Sequence, residues 1–268
     1  MKIPRLRVAA PLLMMVLITA CATSPLGRKQ LSLFSDAQID AMGISAFEQV
    51  KEKIPLSRDG RSIGYVTCVA NAVTAAMTGA QGAGLWEVRV FEHKDANAFA
   101  LPGGKIGVYS GMLKVARNQD QLAAVIGHEV AHVIARHANE RASTEFATQG
   151  GLDLIQVISG TPTPGKNALM GVLGLGAQFG VILPYGRAQE READLIGIDL
   201  MARAGFDPRQ SIDLWRNMSA NDASEPPEFL STHPNHETRI TDLNGRMGYA
   251  MGLYEKARAR GVRPTCAY

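Results

Sequence analysis

The sequence has few cysteines, few aromatic residues and no long uninterrupted apolar run. Its 268 residues include three cysteines, and aromatic side chains make up 6% of the chain. Three cysteines are too few for a disulfide-stapled scaffold, and no segment reaches the roughly 18 consecutive apolar residues of a membrane-spanning helix. A hydrophobic content of 46% with mixed charges excludes a wholly disordered chain. The sequence therefore predicts a globular protein with a substantial core.

The small positive charge of the chain is concentrated at its N-terminus. The formal net charge is +3, and Lys2, Arg5 and Arg7 account for all of it. An apolar run over 8–18 follows these bases and ends in small residues before Cys21. This order is typical of a secretory signal. Without the signal the chain is formally neutral, so the sequence does not support a nucleic-acid partner.

The residues before Cys21 resemble the lipobox of bacterial lipoproteins. The segment Ile18-Thr19-Ala20-Cys21 implies cleavage before Cys21 and attachment of lipid to it. Acyl chains of this kind hold a soluble domain at a bilayer surface. Because Ala22 rather than aspartate follows, the resemblance implies the periplasmic face of the outer membrane. We therefore predict a signal peptide at 1–20 and a lipidated tether at 21–35.

The other two cysteines, Cys68 and Cys266, then form an even pair in an oxidising compartment. A disulfide between them would join the two ends of the domain. Two separate thiols are the alternative, because the sequence does not give the distance between their Cα atoms.

Residues 36–268 are predicted to form one mainly helical domain with a small sheet. Apolar residues recur at helical spacing in most segments and alternate with polar residues in a few short ones. Helices are predicted at 36–53, 61–77, 111–116, 119–139, 187–204, 208–220 and 236–256, and strands at 86–90, 97–101 and 105–109. The Gly-rich segment 150–186 is either a mobile hairpin or lid over an apolar surface, or a pair of buried helices.

The helix predicted at 119–139 carries a motif for metal chemistry, His128-Glu129-Val130-Ala131-His132. Its two histidines are four residues apart, so both imidazoles lie on one helix face and can bind one metal ion. Glu129 can then act as general base toward a metal-bound water. His137 lies about half a turn from His128 around the helix. We expect it beside a ligand or at the helix end, where its charge suits the helix dipole.

A third protein ligand is available in the segment Glu190-Arg191-Glu192-Ala193-Asp194. Glu190 and Asp194 share a helix face, while Glu192 points roughly the opposite way. One of the two can bind the metal and the other can accept a hydrogen bond from a ligand histidine. The residues alone leave open which is the ligand, and a solvated charged face is the alternative without function.

Taken together, the motifs resemble the HtpX-like and CAAX-prenyl-protease-like zinc endopeptidases, in particular the Oma-type bacterial lipoproteins. The matching segments are 97–104 (NAFALPGG), 127–137 (GHEVAHVIARH), 190–197 (EREADLIG) and Ser231-Thr232-His233-Pro234. The resemblance implies an α+β, mainly α, gluzincin-type domain with a small β-sheet beside the HExxH helix. It also implies one Zn²⁺ per chain, bound by His128, His132 and Glu190, with Asp194 and His137 behind the ligands.

The same resemblance assigns roles to two further segments. His233 either stabilises the oxyanion or occupies the open zinc position as a resting-state gate; an ordinary helix-start residue before Pro234 is the alternative. The strand with Asn97, Ala98 and Phe99 is implied to pair with an extended substrate through backbone hydrogen bonds, which suits unfolded chains.

These expectations describe a zinc-dependent endopeptidase that acts on misfolded or unassembled envelope proteins. In the predicted mechanism Glu129 takes a proton from the zinc-bound water and passes it to the leaving amine, and Arg239 is a candidate for charge stabilisation. The alternative function is a chaperone-like outer-membrane assembly factor with a gated, nearly silent site. A purely structural metal site is disfavoured, because such sites use four protein ligands, usually including cysteine. The oligomeric state is not predicted.

Overall fold

The computed structural model describes residues 21–77, 86–148, 186–220, 228–233 and 238–268. Three predicted features lie wholly or almost wholly outside these residues. They are the signal peptide at 1–20, the possible lid at 150–186, of which Gly186 alone is described, and the segment around Pro234 and His236.

The described residues form a mainly helical domain with two small sheets, which confirms the predicted α+β class. In chain order the elements are β1 (Cys21–Thr23), β2 (Lys29–Leu31), α1 (Asp36–Lys53), α2 (Gly60–Ala75), β3 (Glu87–Phe91), β4 (Ala98–Leu101), β5 (Lys105–Tyr109), α3 (Met112–Val115), α4 (Gln119–Ile134), α5 (His137–Thr148), α6 (Arg187–Arg203), α7 (Gln210–Ala220), α8 (Glu228–Thr232) and α9 (Arg239–Ala259).

Capping side chains set the starts of several helices. Ser35 accepts a hydrogen bond from the backbone N–H of Gln38 and forms a capping box at the start of α1. Asp59 accepts two backbone N–H groups at the start of α2, and Asn118 accepts one at the start of α4. These caps satisfy N–H groups that have no partner inside the helix.

The larger sheet has the strand order β3-β5-β4 and lies beside α4, as predicted. Strand β3 is parallel to β5, and β4 is antiparallel to β5 at the other edge. The three-residue turn between β4 and β5 contains Gly103 and Gly104, whose φ angles of 79° and 71° lie in the left-handed region that favours glycine. This hairpin places the edge strand β4 against the motif helix.

The helix predicted at 119–139 is wrong in one respect: it divides into α4 and α5. The helix is interrupted at Ala135 and Arg136, and Arg136 has a left-handed φ of 57°. Neither glycine nor proline marks this break in the sequence. His137 therefore begins α5 rather than ending the motif helix, and the predicted helix-dipole role of His137 is wrong as well.

Helices α4 and α6 cross at very short distance through two glycines. A Cβ atom added at Gly127 would lie 2.9 Å from the carbonyl oxygen of Gly197, and one added at Gly197 would lie 2.9 Å from the backbone nitrogen of His128. Both added atoms meet backbone, which cannot rotate away. The two glycines thus set the distance between the helix that carries the HExxH motif and the helix that carries Glu190.

The C-terminal segment is held against the domain by covalent and polar contacts. Cys68 in α2 and Cys266 form a disulfide with a Cα–Cα distance of 5.7 Å across 198 residues of sequence. Gln119 at the start of α4 accepts from the backbone N–H of Cys266 at 2.8 Å and donates to the carbonyl of Pro264 at 3.2 Å. Cys68 and Cys266 are therefore joined as a disulfide rather than present as two separate thiols, and the bond ties the C-terminal segment to α2.

No helix within the described parts of the chain is both long enough and apolar enough to cross a membrane.

We predict that Gly197→Ala lowers the free energy of unfolding by about 1–3 kcal/mol, because the added methyl group forces α4 and α6 apart. The change is measured by urea denaturation. Gly248→Ala is the matched control, since Gly248 lies in α9 with nothing within 4 Å of an added Cβ. There the alanine raises stability by up to about 1 kcal/mol through its helix propensity. Equal effects of the two substitutions would contradict the close helix crossing.

Candidate metal centre

Four buried side chains from three separate segments converge on one point. His128 and His132 come from α4, Glu190 from the first turn of α6, and His233 from the residue after α8. One donor atom from each lies within 4.8 Å of all the others. Each of the four residues is at most 3% exposed.

The distances between these donor atoms match a single metal ion. The Nε2 atom of His128 lies 3.1 Å from Nε2 of His132 and 3.2 Å from Nδ1 of His233. Glu190 oxygens lie 3.4 Å from Nε2 of His128 and 3.5 Å from Nε2 of His132. Donors bound tetrahedrally at about 2.0–2.1 Å from zinc are separated by roughly 3.3 Å. The residues present therefore fit one tetrahedrally bound ion.

The ring orientation of His128 is fixed from behind by Asp194. Nδ1 of His128 lies 2.9 Å from an Asp194 oxygen. A carboxylate accepts hydrogen bonds, so Nδ1–H of His128 donates to Asp194, and Nε2 is the ring nitrogen that faces the metal position. Glu190 therefore lies among the donor atoms, and Asp194 lies behind His128. This placement distinguishes the roles of the two carboxylates, which the sequence left open.

Arg239 compensates the negative charge of both carboxylates. It is fully buried, and its Nε donates to Asp194 at 2.6 Å while its Nη2 donates to Glu190. The guanidinium also lies over the ring of Trp215, 3.7 Å from the ring centroid. The two carboxylates raise the pKa of Arg239 against the effect of burial. Arg239 therefore holds Glu190 and Asp194 in place through hydrogen bonds from one guanidinium.

His132 has its own partner in His137. The two Nδ1 atoms are 2.9 Å apart, and Nε2 of His137 lies 3.2 Å from a Glu192 oxygen. On a continuous helix residues five apart point in different directions, so this contact depends on the break at Arg136. His137 thus lies beside His132, and the start of a new helix rather than the end of the motif helix puts it there.

Glu129 lies beside the four donors and is almost fully buried at 4% exposure. Burial raises the pKa of its carboxyl, against the influence of His233, His128 and a backbone hydrogen bond from Ala100. Its Oε1 has no hydrogen-bond partner within the described residues and is 3.5 Å from Nε2 of His233. A carboxylate with a raised pKa and an uncommitted oxygen next to a metal site is suited to general-base work.

The surroundings shift the pKa values of three of the donors, His128, His132 and Glu190, in different directions. Burial opposes the charge of His128, but hydrogen bonds to Asp194 and Glu190 outweigh it and raise the pKa of His128 to about 9. Burial lowers the pKa of His132 well below its ordinary value. The pKa of Glu190 also lies well below its ordinary value, because His233 and His128 outweigh the effect of burial. The site therefore holds an ionised carboxylate that favours a cation.

The edge strand β4 reaches this site through its backbone. The backbone carbonyl of Asn97 accepts a hydrogen bond from the N–H of Tyr109 at 3.0 Å. Along an antiparallel pair of strands, successive residues direct their backbone groups alternately toward and away from the partner strand. Phe99 therefore uses its backbone groups on β5, while Ala98 and Ala100 direct theirs to the outer edge. The Asn97 side chain accepts from the N–H of Ala98 at 2.8 Å. Of the three residues predicted to pair with substrate, Ala98 alone directs its backbone N–H and C=O to the outer edge of the sheet. Ala100, which was not among the three, does so as well.

The side chain of Phe99 serves the core. It is 4% exposed and packs in an aromatic cluster with Phe47, Phe91 and Tyr109. Its ring also fills the space above Gly107, where an added Cβ would lie 2.2 Å from it. Phe99 therefore supports the position of the edge strand and makes no side-chain contact with the donors.

Sequence reasoning missed two residues near the metal centre. Glu192 is 4% exposed and binds His137, although its helical position directs it away from Glu190. Trp215 of α7 lies under Arg239 and meets the ring of His128 edge-on, with centroids 6.0 Å apart. The three acidic residues within 190–194 were a signal for Glu192, whereas nothing local in the sequence marks Trp215.

Residues 63–247, which include every donor of the site, match the profile of peptidase family M48. The chain belongs to peptidase family M48. The predicted cofactor, one Zn²⁺, is the metal of M48 proteases, and the donor set fits it.

Several curated proteins are similar to this M48 chain. Mitochondrial metalloendopeptidase OMA1 of Schizosaccharomyces pombe is 38% identical over 160 residues, which are 59% of this chain and 45% of the relative. The mitochondrial metalloendopeptidase OMA1 of Bos taurus is 30% identical over 239 residues, 86% of this chain and 45% of the relative. The beta-barrel assembly-enhancing protease of Escherichia coli (strain K12) is 29% identical over 228 residues, which are 82% of this chain and 46% of the relative. The chain spans about half the length of these relatives.

We predict that Asp194→Asn weakens zinc binding by about 10–100-fold, because an amide holds the His128 tautomer less firmly than a carboxylate does. Zinc affinity is measured by competition with a chromophoric chelator. Asp199→Asn is the control, since Asp199 lies in the same helix and binds Arg246 at 2.6 and 3.0 Å, away from the donors. Equal zinc affinities for both variants would refute the role of Asp194.

Proposed function

We propose that this chain is a zinc-dependent endopeptidase that hydrolyses peptide bonds in misfolded or unassembled proteins of the bacterial envelope. The observation that carries the proposal is the buried group of His128, His132 and Glu190 with the carboxylate of Glu129 beside it. Membership of family M48 and relatives named metalloendopeptidase or protease support it.

The residues around the donors divide the steps of hydrolysis among them. Zinc, when bound, supplies Lewis acidity that favours attack of water on a carbonyl. Glu129 accepts the proton that the attacking water loses and delivers it to the nitrogen of the leaving amine. The C–N bond breaks and the carbonyl carbon keeps the new C–O bond as a carboxylic acid, whose proton then passes to the amine product or to solvent, so no covalent intermediate with the protein forms. The raised pKa of Glu129 suits both proton transfers.

The edge strand supports a substrate that is extended and of variable sequence. Ala98 and Ala100 turn their backbone groups to the outer edge of the sheet, and Ala100 also donates its N–H to Glu129. A substrate strand added there would align its backbone with the general base. Backbone pairing does not read side chains, so this arrangement favours unfolded chains over a defined sequence.

We place the protein in the bacterial envelope, attached through lipid on Cys21 to the periplasmic face of the outer membrane. The signal-like residues 1–20 and the lipobox resemblance support this location. The Escherichia coli relative, whose name links it to β-barrel assembly, supports an envelope role. Within M48, we assign the chain to the Oma-type lipoprotein subgroup of the HtpX-like and CAAX-prenyl-protease-like enzymes on the same grounds.

We further propose that His233 gates the metal in the resting state. Its Nδ1 lies among the donors, 2.9 Å from a Glu190 oxygen and 3.2 Å from Nε2 of His128. Its ring stacks on Phe229, with centroids 4.5 Å apart, and the N–H of Phe229 donates to the carbonyl of Ala96 at 3.2 Å. His233 is thus fixed through α8 beside the edge strand. A gate of this kind supports a second candidate function, that of a chaperone-like outer-membrane assembly factor whose protease site is nearly silent.

We predict that Glu129→Gln retains zinc at one ion per chain and abolishes cleavage of an unfolded protein such as reduced casein. The amide keeps the shape of Glu129 but cannot accept a proton. Metal content and peptide release are measured on the same sample. Glu255→Gln, an exposed change in α9, is the control and leaves both unchanged. Cleavage by Glu129→Gln at the wild-type rate would refute the mechanism.

We predict that His233→Ala cleaves unfolded casein faster than wild type and binds zinc less tightly, because the variant lacks the fourth donor. Initial rates and chelator competition test the two effects. His93→Ala is the control, since His93 is half-buried against Tyr109 and contacts none of the donors. A decrease in kcat with unchanged zinc affinity would instead assign His233 to stabilisation of the oxyanion.

A further inference from the structure

The N-terminal hairpin folds against the helices of the metal site. Strands β1 and β2 pair antiparallel, and the tight turn between them contains Gly27 with a φ of 88°. The N–H of Gly27 donates to the carbonyl of Ser24 at 2.9 Å, and the Ser24 N–H donates to the carbonyl of Arg28 at 2.8 Å. The turn therefore has a defined shape and presents Arg28 toward the domain.

Arg28 joins the hairpin to two helices. Its Nε donates to an oxygen of Glu192 in α6 at 3.0 Å, and its two terminal nitrogens donate to both oxygens of Glu140 in α5. Gln189 of α6 donates to the same Glu140 at 2.7 Å. The turn adds a second contact to Glu192, from the N–H of Leu26 at 3.4 Å. A planar guanidinium suits such a bridge, because it can serve two carboxylates at fixed angles.

From Glu192 the hydrogen bonds continue to a metal ligand. Glu192 accepts hydrogen bonds from Nε of Arg28 and from the N–H of Leu26, and its Oε2 lies 3.2 Å from Nε2 of His137. A carboxylate accepts hydrogen bonds, so His137 donates to Glu192 from Nε2. The other ring nitrogen of His137, Nδ1, lies 2.9 Å from Nδ1 of His132 and accepts the proton of that nitrogen. His132 then has its Nε2 lone pair directed at the metal position.

We propose that Arg28 is a positioning residue for the metal ligand His132, and that it acts through Glu192 and His137. The inference rests on the proposed zinc site. Its consequence is that the segment following Cys21 completes the metal centre instead of serving only as a tether. The two ligand histidines then have parallel supports: Asp194 and Arg239 behind His128, and the Arg28 relay behind His132.

A matched ion pair on the same helix separates this role from general stability. Arg246 binds Asp199 of α6 through two hydrogen bonds, much as Arg28 binds its carboxylates. The arginine side chains are 30% and 25% exposed, and their α6 partners are 7% and 4% exposed. No hydrogen bond among the described residues links Asp199 to the donors. Arg28→Gln and Arg246→Gln therefore remove similar interactions, but only the first touches the relay.

The experiment compares the full chain loaded with zinc in four forms: wild type, Arg28→Gln, Arg28→Lys and Arg246→Gln. The main readout is the rate at which each loses zinc to excess chelator, which requires no catalysis. We expect Arg28→Gln to lose zinc about 10–100-fold faster than wild type, and Arg246→Gln to match wild type. Arg28→Lys keeps the charge but cannot bridge both carboxylates, so its rate lies between. On casein, kcat falls in Arg28→Gln with little change in KM.

A second comparison tests the path itself. If Arg28 acts through Glu192, the double variant Arg28→Gln/Glu192→Gln loses zinc no faster than Glu192→Gln alone. Additive effects, or equal zinc loss from Arg28→Gln and Arg246→Gln, would overturn the proposal. If Arg28→Gln does not fold, the same comparison is made with Arg28→Lys, and zinc loss at the wild-type rate in that variant overturns it. A wild type that binds zinc but cleaves nothing refutes the proposed function and leaves this test intact.

Discussion

Burial of charge is the constraint on which the rest of this structure depends. Two carboxylates, Glu190 and Asp194, lie almost wholly out of water, where an uncompensated ion is costly. Arg239 binds both, and Trp215 covers its free face. Helices α4, α6, α7 and α9 have to meet at one place for these contacts to form. The same meeting point brings His128 and its neighbours to the spacing that one metal ion requires.

Close packing of backbone makes this meeting point possible. Gly127 immediately precedes His128, and Gly197 lies one turn after Asp194, so the helix crossing adjoins the donors on both sides. Side-chain hydrogen bonds then fix each ligand ring from behind, through Asp194 for His128 and through His137 for His132. The metal site is thus specified by packing first and by hydrogen bonding second.

Part of this arrangement could be predicted from the sequence, because it depends on spacing within one helix. The positions of His128, Glu129 and His132 follow from the helical repeat. The partners of His137 could not be predicted in this way, because they require an interruption of the helix at Arg136. That residue adopts a left-handed φ although it is not a glycine. The contact of Arg28 with α6 spans 164 residues and leaves no local pattern. Pairings set by tertiary packing are invisible to periodicity.

X-ray absorption spectroscopy of the zinc-loaded protein tests the central claim most directly. The donor distances predict one zinc per chain bound by nitrogen and oxygen at about 2.0–2.1 Å, without sulfur. Three of the four donors should be imidazoles, from His128, His132 and His233. Sulfur in the coordination sphere, or zinc far below one ion per chain after careful loading, would contradict the account. Either result would mean that the four convergent side chains are not a metal centre.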